Sequence, residues 1–435
     1  MIEIPRRKSE SKAAFFANMM PQRRQSMQEL RTKESRWWRS AAFYYGLFFT
    51  VMCYAFLATA FGRNLLVHSP YDSYTLQALA WRNGHIALGK DYPWLELAIY
   101  QGRYYVSFPP FPVVPLWLLT FFFGGNTPNL LLNALLYVGS YSASFGIARR
   151  LRVAEGSAAC FACFAVMGSG VLAGAHSGGV WHLAQGMSFF LTSLTVYGLL
   201  HSSRGWRFAA PVCLACAVGC RPLQAAFVPV VLFCLFQAEK RAGERVVQTL
   251  RRMVPYLVLP ALIAVGYGVY NWVRFNNPLE FGHTYLPEFQ RSEFGTFSAA
   301  YVAENIVSIF ALPYFEKNRL DFPRFGFGFY LTNALYVIAL LRLGERVVRK
   351  RRLQALDGAL LVCVAVNFIA TLHYKGCGGS QFGSRYLIDL LPFLYWFALR
   401  QCSRIRMGEG MIMAFGVLFN LYGTALFVLT TASYY

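Results

Sequence analysis

Long apolar segments alternate with short polar ones along almost the entire chain after residue 40. A helix needs roughly twenty apolar residues to cross a hydrocarbon core of about 30 Å, and a soluble protein does not repeat such segments. The pattern therefore predicts one all-α, polytopic membrane domain over residues 41–433. The predicted spans are 41–62, 127–147, 157–175, 180–201, 207–220, 222–237, 253–273, 325–343, 357–373, 384–400 and 410–432.

One further apolar stretch, residues 108–124, differs from these spans. It begins "FPPFPVVP", so that Pro109, Pro110, Pro112 and Pro115 crowd the first turns of any helix there. Proline removes a backbone donor and disturbs a helix interior. Two interpretations are open: a twelfth span with a proline-rich start, or a surface or re-entrant helix on the outer face that does not cross.

The positions of the basic residues decide between these interpretations. Lysine and arginine in short loops stay on the cytoplasmic side. Basic clusters separate the apolar segments at 147–151, 204–207, 239–252, 342–352 and 400–406. If residues 108–124 cross, all of these clusters lie outside, opposite the basic tail at 1–40. If they do not cross, 29 of the 41 Lys and Arg face the cytoplasm, so eleven spans are predicted.

Composition agrees with this topology. Of the 435 residues, 56% are apolar and 14% are charged, and the formal net charge is +21. Because the positive charge lies in the predicted cytoplasmic tail and loops, it indicates membrane orientation and attraction to anionic membrane lipids. A nucleic-acid partner is not predicted, because no soluble module combines a basic face with stacking aromatic residues.

Two long polar segments are predicted to lie outside, the first over 63–126 and the second over 274–324. Within the first, "YDSYTLQALAWRNG" predicts a short surface helix that begins after Asp72. Aspartate is a common helix N-cap. A structural cap and a catalytic carboxylate are therefore both open as roles for Asp72.

Two other outer elements carry charged residues into the membrane domain. The short helices 207–220 and 222–237 flank Arg221, and a charged residue at that depth is by default a functional candidate. Its alternative role is to pair with a nearby acid. In "HYKGCGGSQFGSRYLIDLLPF" the glycines favour backbone close to a ligand. Arg385 and Asp389 are four residues apart in it, so an internal ion pair is also open.

One carboxylate near several cations at a membrane surface suits transfer from a lipid phosphate. The cations bind the phosphate leaving group, while the carboxylate takes a proton from the attacking hydroxyl. The predicted catalytic residue is Asp72, and the predicted substrate-binding residues are Arg221, Arg385, Lys375, Gln381, His373, Arg82, Arg103, Asp389, Asp91 and Glu96. The chain has no DxD, P-loop, GxGxxG, HExxH or GxSxG motif, so no cofactor and no metal site is predicted.

Six motifs, together with their order along the chain, indicate a family resemblance: "SPYDSYTLQALAWRNGHIAL", "YQGRYYVSFPPFP", "AHSGGVWHLAQ", "GCRP", "NWVRFNNPLEFGHTYLP" and "SQFGSRYLIDLLPF". Over residues 40–400 the chain resembles bacterial membrane glycosyltransferases of the GT-C superfamily, distantly like protein O-mannosyltransferases and aminoarabinose transferases. The resemblance implies a large first outer loop with surface helices, an acidic general base there and an undecaprenyl-phosphate sugar donor. Asp72 takes the base position, but Ser73 follows it where many relatives have a second acid. Asp91, Glu96 and Asp389 are therefore alternatives.

The predicted function is an inverting transfer of a hexosyl or pentosyl group from a polyprenyl-phosphate sugar, independent of metal or only weakly dependent on it. The acceptor is a glycan, lipid or protein at the outer face of the bacterial cytoplasmic membrane. A transporter or flippase of lipid-linked glycans is an alternative, although such proteins tend to show internal repeats, which this sequence lacks. A glycan polymerase or ligase is another alternative, and the sequence does not separate it from the first.

Overall fold

The computed structural model describes residues 37–316, 319–376, 378–401 and 404–430, so most of the predicted tail at 1–40 lies outside the described residues. In chain order the α-helices are α1 (Ala41–Ala60), α2 (Ser73–Arg82), α3 (Val113–Phe123), α4 (Asn129–Arg150), α5 (Glu155–Met167), α6 (Val171–Ala175), α7 (Val180–Leu200), α8 (Arg204–Val218), α9 (Val228–Glu239), α10 (Val246–Phe275), α11 (Pro287–Gln290), α12 (Val302–Phe310), α13 (Phe329–Thr332), α14 (Leu335–Val348), α15 (Ala355–His373), α16 (Leu391–Arg400) and α17 (Met407–Thr430). The strands are β1 (Leu97–Tyr100), β2 (Arg103–Val106), β3 (Tyr314–Glu316) and β4 (Arg319–Asp321), which form two antiparallel hairpins. Short 3₁₀ turns lie at Trp37–Arg39, Gly124–Asn126, Pro222–Phe227, His283–Tyr285, Ala299–Tyr301 and Arg385–Leu390.

The chain is a multi-pass membrane protein. Within the described ranges, seven helical segments are long and apolar enough to cross a membrane: α1, α4, α7, α9 with the 3₁₀ turn before it, α10, α15 and α17. The other predicted spans are built from shorter pieces. Segment 157–175 corresponds to α5 and α6, and 207–220 to α8. Segment 325–343 corresponds to α13 and α14, and 384–400 to a 3₁₀ turn and α16.

The proline-rich stretch forms a short helix. Helix α3 has 11 residues, which at about 1.5 Å per residue gives about 16 Å, roughly half of the hydrocarbon core. The backbone N–H of Phe111 donates to the carbonyl of Gly219 at 2.9 Å, which ties the start of this helix to the end of α8. The length supports the prediction of a surface or re-entrant helix at 108–124.

The first predicted outer loop packs as one unit against the start of α7. Buried side chains of α2, α3 and α7, among them Tyr74, Leu116 and Leu183, form a hydrophobic cluster of their own. The backbone N–H of Val180 donates to the carbonyl of Tyr71 at 3.0 Å. This packing fixes the segment that follows α2 relative to the membrane helices.

The hairpin of β1 and β2 extends from this unit. Its turn residues, Gln101 and Gly102, have φ of 50° and 71°, as a two-residue hairpin turn that matches strand twist requires. Buried Arg274, at the end of α10, donates from Nη1 to the carbonyl of Val106 at 2.8 Å and from Nη2 to Asn271 at 2.7 Å. The arginine therefore ties the hairpin to the end of the longest membrane helix.

Ion pairs and hydrogen bonds join neighbouring basic loops at the other end of the helices. Ser40 donates to Glu155 at 2.7 Å, and buried Asp357 pairs with Arg346 at 3.0 Å and with Arg400 at 2.6 Å. Such links are expected if these loops share one face. The assignment of that face to the cytoplasm remains the prediction from the positive-inside rule.

Candidate functional site

Two adjoining cavities lie at the end of the helices opposite these basic loops. The polar cavity has a volume of about 440 Å³, and its wall includes Glu96, Glu288, Phe289, Arg324, Phe325 and Lys375. The apolar cavity has a volume of about 370 Å³, and its wall includes Pro109, Ala184, Arg221, Leu223, Phe281 and Phe297. Both cavities share Phe108, Trp181, His283, Tyr374, Arg385 and Tyr386. We call this shared wall the junction.

A glycine positions one side of the junction. Gly282 has φ of 109°, and a Cβ atom there would approach Phe275 Cζ at 3.0 Å and Ser107 Cα at 3.1 Å. Its backbone N–H donates to Glu280 at 2.6 Å. The chain therefore passes close beneath the hairpin, and His283 follows directly at the junction.

Arg221 lies between α8 and the next helical segment, with its charge compensated. Its Nε donates to Asp389 at 3.0 Å, and Asp389 also accepts from Gln185 at 2.5 Å. The guanidinium lies over the Tyr386 ring, 4.4 Å from its centroid. The prediction that Arg221 pairs with a nearby acid is confirmed. Among the described residues Asp389 forms its ion pair with Arg221 rather than with Arg385.

Arg385 occupies the junction without such compensation. It is 9% exposed and lines both cavities, as well as a third, smaller cavity of about 20 Å³. Its Nε is buried without a hydrogen-bond partner, and no carboxylate of the described residues forms an ion pair with it. Gln381 accepts from its backbone N–H at 2.9 Å and thereby holds the turn. A buried guanidinium with spare donors is suited to bind an anion.

Glu96 is the carboxylate that faces the polar cavity from the first outer loop. One of its oxygens accepts from the indole N–H of Trp181 at 2.9 Å. Enclosure by the protein raises the pKa of Glu96 above its usual range, and the Trp181 hydrogen bond and the Arg385 charge oppose that rise. A cavity-facing carboxylate with a raised pKa has the properties of a general base.

Asp72 is the N-cap of α2. It is 1% exposed, and its Oδ1 accepts from the backbone N–H groups of Tyr74 at 2.9 Å and Thr75 at 3.3 Å, while its Oδ2 accepts from the Thr75 hydroxyl at 2.5 Å. Burial raises the pKa of Asp72, and these hydrogen bonds oppose the rise. The cap role is confirmed. The catalytic role stays a prediction, since Asp72 is not part of the walls of the polar and apolar cavities.

Gln381 lines only the smaller third cavity, and four other residues predicted from the sequence lie apart from the polar and apolar cavities: Arg82, Arg103, His373 and Asp91. Arg82 donates to the carbonyl of Thr120 at 2.6 Å and so joins α2 to α3. Arg103 lines a separate cavity of about 830 Å³ beside α2. His373 contacts a carbonyl of its own helix at 2.8 Å, and Asp91 is exposed. The structure does not bring these four residues to the junction.

Lys375 does lie in the polar cavity, where its Nζ donates to the backbone carbonyl of Glu288. The sequence reasoning did not select His283, Tyr374 or Glu288. Nδ1 of His283 lies 2.6 Å from the Tyr374 hydroxyl, and burial, assisted by the Arg221 charge, lowers the pKa of His283 to about 4. The signal that could have found His283 and Glu288 is "NPLEFGHTYLPE", where several polar residues follow a span closely.

The arrangement joins three chemical environments within one junction. An apolar cavity meets buried guanidinium groups, and these meet a polar cavity with carboxylates. An amphiphilic molecule with an anionic head can therefore place its apolar part in one cavity and its polar part in the other. Among the described residues no group of three or more His, Cys, Asp or Glu side chains is arranged to hold a metal ion.

Comparison with solved structures finds the same fold in membrane proteins. ArnT from Cupriavidus metallidurans bound to undecaprenyl phosphate matches with a TM-score of 0.50 and 15% identity, over 84% of this chain and 62% of that one. Its apo state matches with a TM-score of 0.51 and 16% identity, over 86% and 63%. The archaeal oligosaccharyltransferase AglB from Archaeoglobus fulgidus, in complex with an inhibitory peptide and a dolichol-phosphate, matches with 0.50 and 13%, over 90% and 56%.

These likenesses confirm the predicted GT-C fold. At such identities they show the fold alone, and this chain spans about 62% of the length of ArnT. No protein-family model matches the sequence, and no characterised protein matches it at the level of sequence. The fold alone therefore does not identify the activity, which depends on the chemistry of the site.

Proposed function

We propose that this protein is a membrane glycosyltransferase that moves a sugar from a polyprenyl-phosphate donor to an acceptor at the outer face of the bacterial cytoplasmic membrane. The observation that carries the proposal is the junction: Arg385 belongs to the walls of both cavities, and Glu96 faces one of them. The likeness in fold to ArnT bound to undecaprenyl phosphate and to AglB in complex with a dolichol-phosphate supports the same donor class.

The donor lies across the junction in this proposal. Its isoprenoid end occupies the apolar cavity, among side chains such as Leu223 and Phe297. Its phosphate is bound by Arg385, with Arg221 as a second cation nearby. Hydrogen bonds from guanidinium to phosphate are stronger than those between neutral groups. The sugar then lies at the junction, where its anomeric carbon faces the polar cavity.

The chemical step needs one base and one cationic site. The acceptor hydroxyl oxygen attacks the anomeric carbon, and the bond from that carbon to the phosphate oxygen breaks. The phosphate leaves with the electron pair as a polyprenyl monophosphate, and the hydroxyl proton passes to the carboxylate. Arg385 stabilises the charge that the departing phosphate acquires. A single displacement of this kind inverts the anomeric configuration.

Two carboxylates compete for the role of base. Asp72 is the residue predicted from the sequence, but its oxygens bind the first turn of its own helix. Glu96 has one oxygen bound to Trp181 and lies in the wall of the polar cavity. The geometry favours Glu96, because a base has to reach the proton that it removes.

Two conservative variants test this assignment in the purified full chain with a panel of undecaprenyl-phosphate sugars. Glu96→Gln keeps an acceptor for Trp181 and should lower transfer at least about 100-fold, the usual size of a general-base effect. Asp72→Asn keeps a helix cap, because asparagine caps as well as aspartate, and should retain most activity. Mass spectrometry of the product measures both rates.

The reverse result, loss with Asp72→Asn and activity with Glu96→Gln, would assign the base to Asp72. If wild-type protein forms no glycosidic bond with any donor yet moves lipid-linked sugar across vesicles, the proposed function is wrong. In that case the chain is a transporter.

A further inference from the structure

We infer that the polar cavity is an acceptor site for a saccharide, in which Glu288 binds the acceptor. This inference rests on the proposed function and names the chemical class of the second substrate. A saccharide presents apolar C–H faces and hydroxyl edges. Its site therefore needs aromatic rings beside acceptor and donor groups in a cavity of a few hundred Å³.

The wall of the polar cavity has this composition. Trp181, Phe289, Phe325 and Tyr386 contribute rings, and the Phe325 side chain is 59% exposed although it is apolar. Such rings offer flat apolar surfaces on which the C–H face of a sugar can pack. The polar groups of Glu288 and Arg324 lie in the same wall.

Glu288 has acceptor oxygens to spare. The residue is exposed, and no hydrogen bond or ion pair of its carboxylate is present among the described residues. Lys375 binds the backbone carbonyl of Glu288 rather than its side chain. The Glu288 charge contributes to the raised pKa of Glu96, and both carboxylates belong to the wall of the polar cavity. Each ionised carboxylate can accept from two sugar hydroxyls.

A peptide acceptor is disfavoured by the backbone around the cavity. An extended peptide is usually held by an unpaired strand edge. Beside this cavity two segments pair with each other instead: Lys375 donates from its backbone N–H to Thr296 at 2.9 Å, and Ser298 donates to His373 at 2.8 Å. These groups are not available to a peptide.

The charges of the wall do not decide for or against a phosphate on the acceptor. Glu96 and Glu288 would repel it, whereas Arg324, Lys375 and Arg385 lie in the same wall and would attract it. The saccharide is favoured by the aromatic rings and by the Glu288 carboxylate, which can accept from its hydroxyls, and binding of a phosphate compound instead is an outcome of the test.

Ligand-observed saturation-transfer NMR on the full chain in nanodiscs tests the inference without turnover. The probes are methyl glycosides of common hexoses, pentoses and N-acetylhexosamines, a mixture of Ser-, Thr- and Asn-containing peptides, and glycerol 3-phosphate. At least one glycoside should bind, and Glu288→Gln should weaken it about tenfold, as the loss of hydrogen bonds to a charged acceptor implies. Glu293→Gln is the matched control, on the same loop but outside both cavities.

The inference is overturned if no glycoside binds, if Glu288→Gln and Glu293→Gln bind alike, or if the peptides or glycerol 3-phosphate bind in place of the glycosides. The same nanodiscs are titrated with undecaprenyl phosphate. Retained lipid-phosphate binding together with any of these results would reject the saccharide site and leave the proposed function standing.

Discussion

The two arginines of the junction differ in how their charges are compensated. Arg221 is held by the carboxylate of Asp389 at 3.0 Å, whereas no described carboxylate forms an ion pair with Arg385. Breaking a buried pair leaves an uncompensated charge, which is costly. Removing Arg385, which forms no ion pair with a described carboxylate and acts on Glu96 only through its charge, costs less stability and instead removes a binding group.

Substitution of these arginines should therefore separate stability from binding. Arg221→Ala should destabilise the protein by about 3 kcal/mol, seen as a lower Tm, and adding Asp389→Asn should restore part of the loss. Arg385→Ala should leave Tm nearly unchanged and weaken undecaprenyl phosphate about tenfold or more. Equal effects of Arg221→Ala and Arg385→Ala on Tm would contradict this division of roles.

His283 gives the stability a defined pH dependence. Its pKa falls from the usual 6.5 to about 4 in the folded protein. Between these values the unfolded chain binds a proton that the folded protein does not, so stability is lost as the pH falls through this window. His283→Phe should flatten the dependence of Tm on pH between about 4 and 6.5, with His85→Gln as a control. An unchanged slope would show that the imidazole is not buried as described.

At the scale of elements, the segment after α10 depends on one glycine. Gly282→Ala places a Cβ about 3 Å from Ser107 and Phe275 in a backbone conformation that costs about 1 to 3 kcal/mol for other residues. The variant should have a lower Tm and weaker donor binding, because His283 moves. Gly358→Ala, in α15 with nothing within 4 Å, should be neutral or slightly stabilising. A lower Tm in both variants would show that the effect is not specific to the backbone conformation at Gly282.

The long apolar helices could be predicted because hydropathy marks them, but the breaks inside other predicted spans could not. Predicted span 157–175 breaks between α5 and α6, and 325–343 breaks between α13 and α14. The two breaks meet: the backbone N–H of Gly170 donates to the side chain of Asn333 at 3.2 Å. The Asn333 side chain thus supplies the partner that the irregular backbone at Gly170 needs inside a membrane, and this depends on residues far apart in the sequence.

Some residues of the candidate site could be selected from the sequence, and others could not. Arg221, Arg385 and Lys375 could be selected because charges next to apolar spans are unusual, whereas Glu96 is predicted only as an alternative base to Asp72 in the first outer loop. Glu288, like His283, lies in a polar loop, where the available signal is the run of polar residues that closely follows the α10 span. That run does not identify which of its residues reaches the cavity, because their approach follows from tertiary packing. For Asp72 the sequence predicts the position at the start of a helix. It does not predict that both carboxylate oxygens accept hydrogen bonds from the first turn of that helix.

At the scale of the whole molecule, the two ends of the helices carry different chemistry. One end holds the linked basic loops, with Asp357 buried between two arginines. The other holds the cavities, roofed by the first outer loop and the segment after α10. In the proposed function the helices thus separate the basic loops, which the positive-inside rule predicts to be cytoplasmic, from the end that binds the donor.

The shared wall has a thermodynamic consequence for ligand order. Because Arg385, Tyr374 and Tyr386 belong to both cavities, a molecule that settles their side chains in one cavity also reshapes the other. If bound lipid changes the affinity of the protein for a sugar by some factor, bound sugar changes its affinity for the lipid by the same factor. In the proposed function the two partners therefore influence each other through the side chains of the junction, with no moving domain required.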